Sequence, residues 1–571
     1  MDYSRLDEVR RATTPLQLDV VEAYARERIS RREFVQRATV LGLSMSAIGA
    51  VIAACGNAAT PAPSAVGTPG ASASAGTGAA PSSSGAVKTG GNIRVAMQRP
   101  KILDPVAMVD LASYGLAAQS FEFLCAPNST ATDIAPGLAE KWATTDGKVW
   151  TFNLRKNVTW HDGSPFSATD VVATMERLIT AGNSGLKGII TSGSVVATDP
   201  NTVTFTLTGA NGNFPYLVSV FNAQSLITPA SYTAGTTLDK KPAGTGPWKL
   251  TSYDVSSGAK FARNDAWWGG KTPLDTTEFT FFDKTAEMVT AYQGGQIDAI
   301  VQFDVLSGAS LFTDANFTVV DTPTTNHREI WMRCDKGQFA KKEVRQALAL
   351  TLDRPSLIDK LFKGKAIPAN DHVIWDKYPY FDSSVAQRVQ NIDKAKQLLA
   401  AAGTPTLNVT LQYGNLNEIP DLAVLMKSMA APAGFNITPA GQDNGQFYDA
   451  QWCPPTPKDP PCSGAAEFGI VDYGHRATPD LFMNSAFKTK GIWNSSQWSN
   501  PDFDAAFKEF QSAVGVDAQK TACKKIETVM NEEVPAAIPY WYNYLSGNSK
   551  KFTGVYTCAL GQMFLSSASA V

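Results

Sequence analysis

Residues 160–171 read Trp-His-Asp-Gly-Ser-Pro-Phe-Ser-Ala-Thr-Asp-Val. Within them Asp162-Gly163 is a pair of residues typical of a tight turn. The four residues 167–170 then have the spacing of a capping box, in which the Asp170 side chain accepts a hydrogen bond from the backbone of Ser167. After the box, apolar residues recur at the helical period, namely Val171, Met175, Leu178 and Ile179. The stretch therefore predicts a turn that leads into a capped amphipathic helix.

Short strands and further helices are predicted on both sides of this stretch. Residues 90–96, 149–154, 203–207 and 279–282 have strand-like composition and alternation. Helices are predicted from Val344 to Phe362, from Asp393 as N-cap to Gly403, and from Asn500-Pro501 onward. This mixture along the chain favours α/β lobes with long insertions.

The composition excludes several classes of protein. The chain has 571 residues, 50 Lys and Arg against 52 Asp and Glu, and a formal net charge of −2. That balance gives no basic surface for nucleic acid, so no nucleic-acid partner is expected. A mean hydropathy of −0.13 argues against a protein with many membrane spans. Function therefore has to be inferred from local motifs.

The N-terminal region has the features of an export signal. Arg31-Arg32 precedes the uncharged residues 38–54, and the run ends in Ile52-Ala53-Ala54-Cys55. A twin arginine is the address of the twin-arginine export route, and the last four residues resemble a bacterial lipobox. Residues 1–54 are thus predicted to be a signal peptide and Cys55 the lipidated residue that attaches the protein to a membrane. Residues 55–89 would then be the lipidated Cys and a disordered linker. A single membrane anchor is the alternative for the apolar run.

Six cysteines remain after Cys55. In an oxidising compartment they could form up to three disulfides. Cys453 and Cys462 bracket a proline-rich loop and are the one pair we predict to be bonded, while buried free thiols remain an alternative for Cys125 and Cys334. No Cys or His spacing is typical of zinc, so neither a metal site nor a cofactor is expected.

Several blocks of sequence, in order, resemble one known family. They are residues 137–142, 150–155, 160–171, 244–248, 264–270, 294–299, 344–348 with Asp353-Arg354, and 393–403. The chain from about residue 90 to 565 is similar to the extracellular solute-binding proteins of the peptide/nickel type, family 5. These proteins are the ligand-capturing subunits of ABC importers.

The resemblance implies an α/β, two-lobed periplasmic-binding-protein-like (type II) fold with an extra insertion domain. Lobe I would comprise residues 90–132, 241–327 and 536–571, the insertion domain residues 133–240, and lobe II residues 328–535. The function implied is capture, without catalysis, of an oligopeptide-like or other small polar solute by hinge closure. A monomer anchored outside the cytoplasm would deliver this solute to ABC permease subunits.

The resemblance also gives candidate ligand-binding residues at the cleft between the lobes. They are Tyr114, Trp331, Arg333, Trp375, Trp452, Tyr473, His475, Arg476 and Trp493. Peptide-binding relatives usually place an acidic residue where this chain has His475, and that acid pairs with the ligand's α-ammonium. Its absence argues against recognition of a peptide amino terminus, and Arg476 would suit a carboxylate or phosphate. The alternatives are an ion pair of Arg476 with Asp472 or Asp480, and a local hydrogen bond for His475.

Two other functions remain as alternatives. Some relatives capture nickel or a metal chelate, although four scattered histidines suit direct ligation of an ion poorly. An extracytoplasmic hydrolase is the less favoured alternative, because the sequence contains neither Gly-x-Ser-x-Gly nor His-Glu-x-x-His.

Overall fold

The computed structural model describes residues 88–108, 110–128, 133–181, 185–240, 243–454 and 460–571. The predicted signal peptide, Cys55 and the linker up to residue 87 lie outside these ranges. Within them, no helix has both the length and the apolar character needed to cross a membrane.

The strands of the described residues are mostly short. In chain order they are β1 (Asn92–Gln98), β2 (Cys125–Pro127), β3 (Ile134–Pro136), β4 (Ala139–Thr144), β5 (Val149–Leu154), β6 (Val195–Asp199), β7 (Thr202–Thr206), β8 (Trp248–Asp254), β9 (Gly258–Arg263), β10 (Thr276–Phe282), β11 (Ala299–Phe303), β12 (Phe317–Met332), β13 (Ala366–Pro368), β14 (Leu407–Gly414), β15 (Phe435–Gln442), β16 (Phe468–Tyr473), β17 (Ala536–Ala537), β18 (Tyr540–Ser549), β19 (Phe552–Thr553), β20 (Tyr556–Thr557), β21 (Met563–Phe564) and β22 (Ser569–Ala570).

The helices of the same residues alternate with these strands. They are α1 (Leu111–Ala117), α2 (Ala168–Ala181), α3 (Phe214–Leu217), α4 (Thr285–Gln293), α5 (Lys342–Thr351), α6 (Arg354–Phe362), α7 (Ile392–Ala401), α8 (Ile419–Ala430), α9 (Asn444–Phe447), α10 (Asp480–Phe482), α11 (Pro501–Ser512) and α12 (Val516–Glu533). Short 3₁₀ or π turns occupy Ala223–Ser225, Ala309–Phe312, Gln338–Ala340, Ala431–Ala433, Tyr448–Trp452 and Met483–Phe487.

One large mixed sheet runs through the two-lobed fold in the order β15-β14-β16-β12-β18-β11-β1-β10-β9-β8. β1 lies parallel to both β10 and β11 at one end. At the other end, β14 lies parallel to both β15 and β16. Between these two parallel groups stand β12 and β18, which pair antiparallel. The sheet thus consists of two α/β halves joined by two long central strands.

The central pair contains an irregularity that matters for the site. Thr322 stands opposite Tyr544, but Asn326 stands opposite Tyr542, so β12 carries two more residues than β18 between these points. Pro323 lies in this bulge, where a residue without a backbone N–H is tolerated in a central strand. Beyond the bulge, β12 also pairs with β16, from His327 opposite Tyr473 to Met332 opposite Phe468.

A separate four-stranded antiparallel sheet, β4-β5-β7-β6, builds the insertion domain with α2. Phe152, Phe205 and Phe214 pack together in its own apolar core. The predicted capping box is confirmed, because the Asp170 carboxylate accepts a 2.9 Å hydrogen bond from the Ser167 backbone N–H. The predicted turn is confirmed as well, with Gly163 at a φ of +90° that favours glycine.

Two other predicted helix starts differ in outcome. Asn500 caps α11 as expected, its side chain accepting from the N–H groups of Asp502 and Phe503. The prediction of Asp393 as the N-cap of α7 is wrong. The cap is Asn391, whose amide oxygen accepts from Lys394, and Asp393 lies within the first turn. Both residue types are favourable N-caps. The helical conformation already begins at Ile392, so Asn391 occupies the cap position.

The structure pairs Cys453 with Cys462, as the sequence predicts. The four other described cysteines, Cys125, Cys334, Cys523 and Cys558, are free thiols that are buried or half-buried. The described residues therefore contain one disulfide, and the possibility of three is not realised in them.

Residues 212–213 are fastened to distant residues 480–519 by a buried cluster of hydrogen bonds. Asn213, just before α3, donates from Nδ2 to the Asp480 carboxylate at 2.8 Å and accepts from Gln519 Nε2 at 2.9 Å. All three side chains are at most 6% exposed. Beside them the Gly212 N–H donates to the Gln511 carbonyl at 2.9 Å, and a Cβ on Gly212 would collide with the Ala513 carbonyl oxygen.

We expect Asn213→Ala to lower the free energy of unfolding by about 2–4 kcal/mol, since it leaves a buried carboxylate and a buried amide unsatisfied. Urea unfolding followed by circular dichroism measures this. Asn436→Ala is the matched control, because it removes an exposed Asn–Asn hydrogen bond and should cost less than about 0.5 kcal/mol. Equal effects of the two variants would show that the buried cluster does not hold these segments together.

Candidate functional site

A cavity of about 690 Å³ lies between residues of opposite halves of the molecule. One wall comes from α1, from residues 185–187 and 216–224 of the insertion domain, and from Leu560. The other wall comes from the segment after β16, namely residues 476–478, 481, 484–485 and 488–493. The cavity thus faces both lobes, which is the arrangement expected of a cleft that closes on a ligand.

The segment after β16 is held in place by contacts from distant parts of the chain. The Thr325 N–H, in the β12 bulge, donates to His475 Nδ1 at 3.0 Å, and the Arg476 N–H donates to Thr325 Oγ1 at 2.7 Å. The Tyr378 hydroxyl donates to the Arg476 carbonyl at 2.7 Å. Because residues 323–325 bulge out of the β12–β18 register, Thr325 bonds to residues 475 and 476. Thr325 and Tyr378 therefore position the residues that line the cavity.

Arg476 lines the cavity and is half-buried. Its Nη1 donates to the carbonyls of His475 at 2.7 Å and Gly474 at 3.4 Å. Burial lowers the pKa of this guanidinium from its ordinary value, although an arginine so placed remains a cation. The alternative of an ion pair with Asp472 or Asp480 is wrong for the described residues, in which neither carboxylate lies within ion-pair distance of Arg476.

Both of those carboxylates have other partners. Asp472 is bound by Arg328 Nη1 and by the Tyr542 hydroxyl at 3.1 Å. Asp480 accepts from Asn213, and burial raises its pKa. Arg328 also makes a bidentate pair with Glu418 at 2.8 and 2.9 Å, and its side chain is fully buried. The acidic groups nearest to Arg476 in sequence are thus engaged elsewhere.

Tyr114 and Trp493 also line this cavity, from opposite walls. The Trp493 ring is backed by Trp452 at 6.3 Å and Tyr473 at 6.1 Å between centroids. Trp452 precedes the disulfide residue Cys453, and both Trp452 and Tyr473 lie behind the wall. Of the nine predicted ligand residues, the structure therefore places Tyr114, Arg476 and Trp493 at the cavity and Trp452 and Tyr473 in the supporting layer.

The other four predicted residues do not line this cavity. Trp331 is fully buried and donates from Nε1 to the Ala466 carbonyl at 2.9 Å. Arg333 is buried as well, and it pairs with Asp335 and donates to the carbonyls of Ser463 and Ala465. Trp375 packs against Tyr378. Trp331 lies near the end of β12 and Arg333 just beyond it. Both side chains donate to carbonyls of residues 463–466 and are buried in the interior, not at the cavity.

His475 is the fourth of these residues. Its ring is buried between Phe221 and Trp375, at 5.5 and 6.2 Å between centroids, and it accepts from Thr325 through Nδ1. His475 is thus held by a hydrogen bond inside the fold, but the partner lies 150 positions away in the chain and is not a neighbour in sequence. Burial lowers its pKa to about 3, so the ring is neutral at physiological pH.

A second cavity of about 310 Å³ opens on the other side of Gly474. Its walls are more polar and include Asp304, Lys365, Glu418 and Asp472. Neither in this cavity nor in the rest of the described residues is a group of three or more His, Cys, Asp or Glu side chains arranged to hold a metal ion.

The fold and the cavity define a two-lobed binding protein of the periplasmic type. The chain belongs to the bacterial extracellular solute-binding proteins, family 5, whose middle region matches residues 133–453. It is 24% identical over 475 residues to Heme-binding protein A of Haemophilus influenzae, covering 76% of this chain and 84% of that protein. It is 24% identical over 488 residues to the periplasmic murein peptide-binding protein MppA of Escherichia coli, covering 79% and 87%.

Among solved structures, the fold is similar to the ABC transporter substrate-binding protein CtaP of Listeria monocytogenes. The TM-score is 0.74 with 20% sequence identity, over 85% of this chain and 100% of CtaP. MppA is a periplasmic protein by its name, and CtaP is named as the substrate-binding protein of an ABC transporter.

Sequence reasoning missed Thr325 and Tyr378, which position the cavity wall, and the lysines at its rim. Pro323 inside a run of strand-forming residues is a signal that could have indicated the bulge, since proline is confined to irregular positions of a central strand. No local signal connects Thr325 with residues 475 and 476, which lie about 150 positions further along the chain.

We expect His475→Asn to reduce the loss of stability on acidification. The unfolded chain protonates this histidine near pH 6.5, whereas the folded ring, with a pKa of about 3, does not. The free energy of unfolding therefore falls as pH drops below about 6.5. An Asn oxygen can still accept from Thr325 but does not titrate. The drop between pH 7 and pH 5 should be smaller in the variant by about 2 kcal/mol.

Urea unfolding at pH 7, 6 and 5 measures this difference. His327 and His372, whose pKa values burial lowers to about 3 and about 4, contribute the same trend in both proteins and cancel in the comparison. Asn436→Ala serves as the control that removes no titratable group. An unchanged pH dependence in His475→Asn would mean that the ring is not held neutral.

Proposed function

We propose that this protein captures a small polar solute in the 690 Å³ cavity and delivers it to an ABC permease without altering it chemically. The observation that carries the proposal is the composition of the cavity walls, which come from the two halves joined by β12 and β18. A ligand held there contacts both halves, so its binding energy favours the closed arrangement.

The size of the cavity supports a ligand no larger than a short peptide or a molecule of similar size, because such pockets usually measure about 300–1,000 Å³. Aromatic rings on both walls, from Tyr114, Phe221 and Trp493, offer flat surfaces for an apolar part of the ligand. The relatives' names include both heme and murein peptide, so membership of the family leaves the solute open.

Closure around the solute would use the central strands as the hinge. The bulge at residues 323–325 is a point where the β12–β18 hydrogen-bond ladder is interrupted, and such points absorb changes of backbone angle. In this structure the ring of Phe221, from one wall, contacts the ring of His475, which lies beneath the other wall. The permease would recognise the closed form.

The finer parts of the proposal concern the N-terminal region. We infer from the twin arginine and the lipobox-like Ile52-Ala53-Ala54-Cys55 that the protein is exported and attached by lipid at Cys55. A monomer so anchored would stay near its permease. Mass spectrometry of the membrane-extracted protein tests this, since the mature chain should begin at Cys55 and carry acyl chains, and Cys55→Ser should release it.

Solute capture predicts that ligand stabilises the fold, because a solute that binds only the folded state raises the melting temperature. The protein should be stabilised by a casein-hydrolysate fraction or a cell-extract fraction below 1 kDa, as measured by differential scanning fluorimetry. We expect Trp493→Ala to lose most of this shift, since the substitution removes a wall of the cavity. The absence of a shift with both fractions would contradict solute capture.

Trp142→Ala is the matched control for that variant. Trp142 stacks on Phe152 in the insertion sheet and does not line the cavity. It should lower the melting temperature of the ligand-free protein but keep the ligand-induced shift. Equal loss of the shift in both variants would mean that Trp493 acts on stability and not on binding.

A further inference from the structure

Among the described residues, the charged side chains that line the 690 Å³ cavity are all basic. They include Lys187, Arg476 and Lys488, and no aspartate or glutamate is found among the described residues that form the walls. Lys187 belongs to the insertion domain and the other two to lobe II, so both walls contribute positive charge. A cavity of this kind attracts anions and repels cations.

Three carboxylates near the walls bind neutral donors and do not themselves line the cavity. Asp133 accepts from the Tyr216 hydroxyl at 2.6 Å, and Asp504 accepts from the Thr489 N–H at 3.1 Å. Asp480 is bound by Asn213, away from the cavity.

The guanidinium of Arg476 has donors left over. Only its Nη1 makes hydrogen bonds within the described part of the chain, and these are to two carbonyls of its own loop. The Nε and Nη2 groups form one edge of the planar guanidinium, and two parallel hydrogen bonds from such an edge match a carboxylate or phosphate. A half-buried cation whose donors are unused lacks the compensation that an anion would provide.

The loop that carries Arg476 is fixed before any ligand arrives. Thr325 and Tyr378 hold its backbone, and Nη1 is tied to the carbonyl of His475. Little side-chain entropy is therefore lost when an anion binds the remaining edge.

From these observations we propose that the solute is an organic anion whose carboxylate or phosphate binds the Nε/Nη2 edge of Arg476, with a flat apolar part against Trp493. This inference rests on the proposed function and names its substrate class. The exposed lysines at the rim, Lys187 and Lys488, steer the anion into the cavity. A ligand that presented an ammonium group at Arg476 would be repelled.

Pairs of probes, each with one charged and one neutral member, test the proposal by isothermal titration calorimetry with the full chain. N-acetyl-Phe-Glu carries two carboxylates, and N-acetyl-Phe-Gln-amide has the same shape without charge. N-acetyl-O-phosphotyrosine amide and N-acetyl-tyrosine amide form the corresponding phosphate pair. We expect the charged member of at least one pair to bind about 10- to 100-fold more tightly than its neutral match. The pair that discriminates identifies carboxylate or phosphate as the anion.

Arg476→Gln should abolish this discrimination, and Arg476→Lys should restore only part of it, because lysine keeps the charge but cannot form the bidentate pair.

A separate measurement does not depend on the folding of Arg476 variants. In the double variant Lys187→Gln/Lys488→Gln, the association rate of the discriminating anion should fall several-fold at low salt and the difference should shrink at high salt. Lys396→Gln, an exposed lysine on α7, is the control and should leave the rate unchanged.

Equal binding of charged and neutral probes, tighter binding of the neutral ones, or no binding of any charged probe would overturn the anionic substrate class. Those outcomes leave solute capture standing if the hydrolysate or extract fraction still raises the melting temperature. The loss of that shift, by contrast, argues against capture itself, so the two failures are distinguishable.

Discussion

The antiparallel pairing of β12 with β18 is the interaction on which both halves of the molecule depend. Each parallel group of strands joins the large sheet through one of these two strands, β16 through β12 and β11 through β18. The fully buried Arg328 on β12 binds Glu418, Asp472 and Tyr542, and so ties three neighbouring elements to the same strand. Because burying a charge is costly unless it is paired and hydrogen-bonded, this network is sensitive to the relative placement of those elements.

The interruption of that pairing creates the binding site. Two extra residues on β12 push Thr325 out of register with β18. Its N–H then donates to the His475 ring, and its hydroxyl binds the backbone of Arg476. Arg476 is carried into the cavity by this arrangement, and the adjacent His475 is turned into the core against Phe221. Neighbouring residues thus have opposite roles, one exposed to the ligand cavity and one structural, because the backbone between them is held on both sides.

The parts of the fold that sequence reasoning predicted well are those with local causes. The Asp162-Gly163 turn, the Ser167–Asp170 box and the Asn500 cap each rest on contacts within a few residues, and each is present.

The binding site was predicted less completely than these local elements. Alternation predicts that Trp331 and Arg333 point the same way, but it does not tell whether they are covered, and the structure buries both. Tyr114 and Trp493 reach one cavity although 379 positions separate them, as their residue numbers show.

The sequence by itself determined the family, several of the strands and helices, the Cys453–Cys462 pair and the absence of an acid at residue 475. These follow from motifs and from forces between near neighbours in the chain. Only the tertiary structure decided that Arg476 has no carboxylate partner among the described residues, and that lysines from two domains share its cavity. The physical reason is that charge pairing and desolvation depend on which distant groups the folded chain brings within a few ångströms, and no local pattern records that.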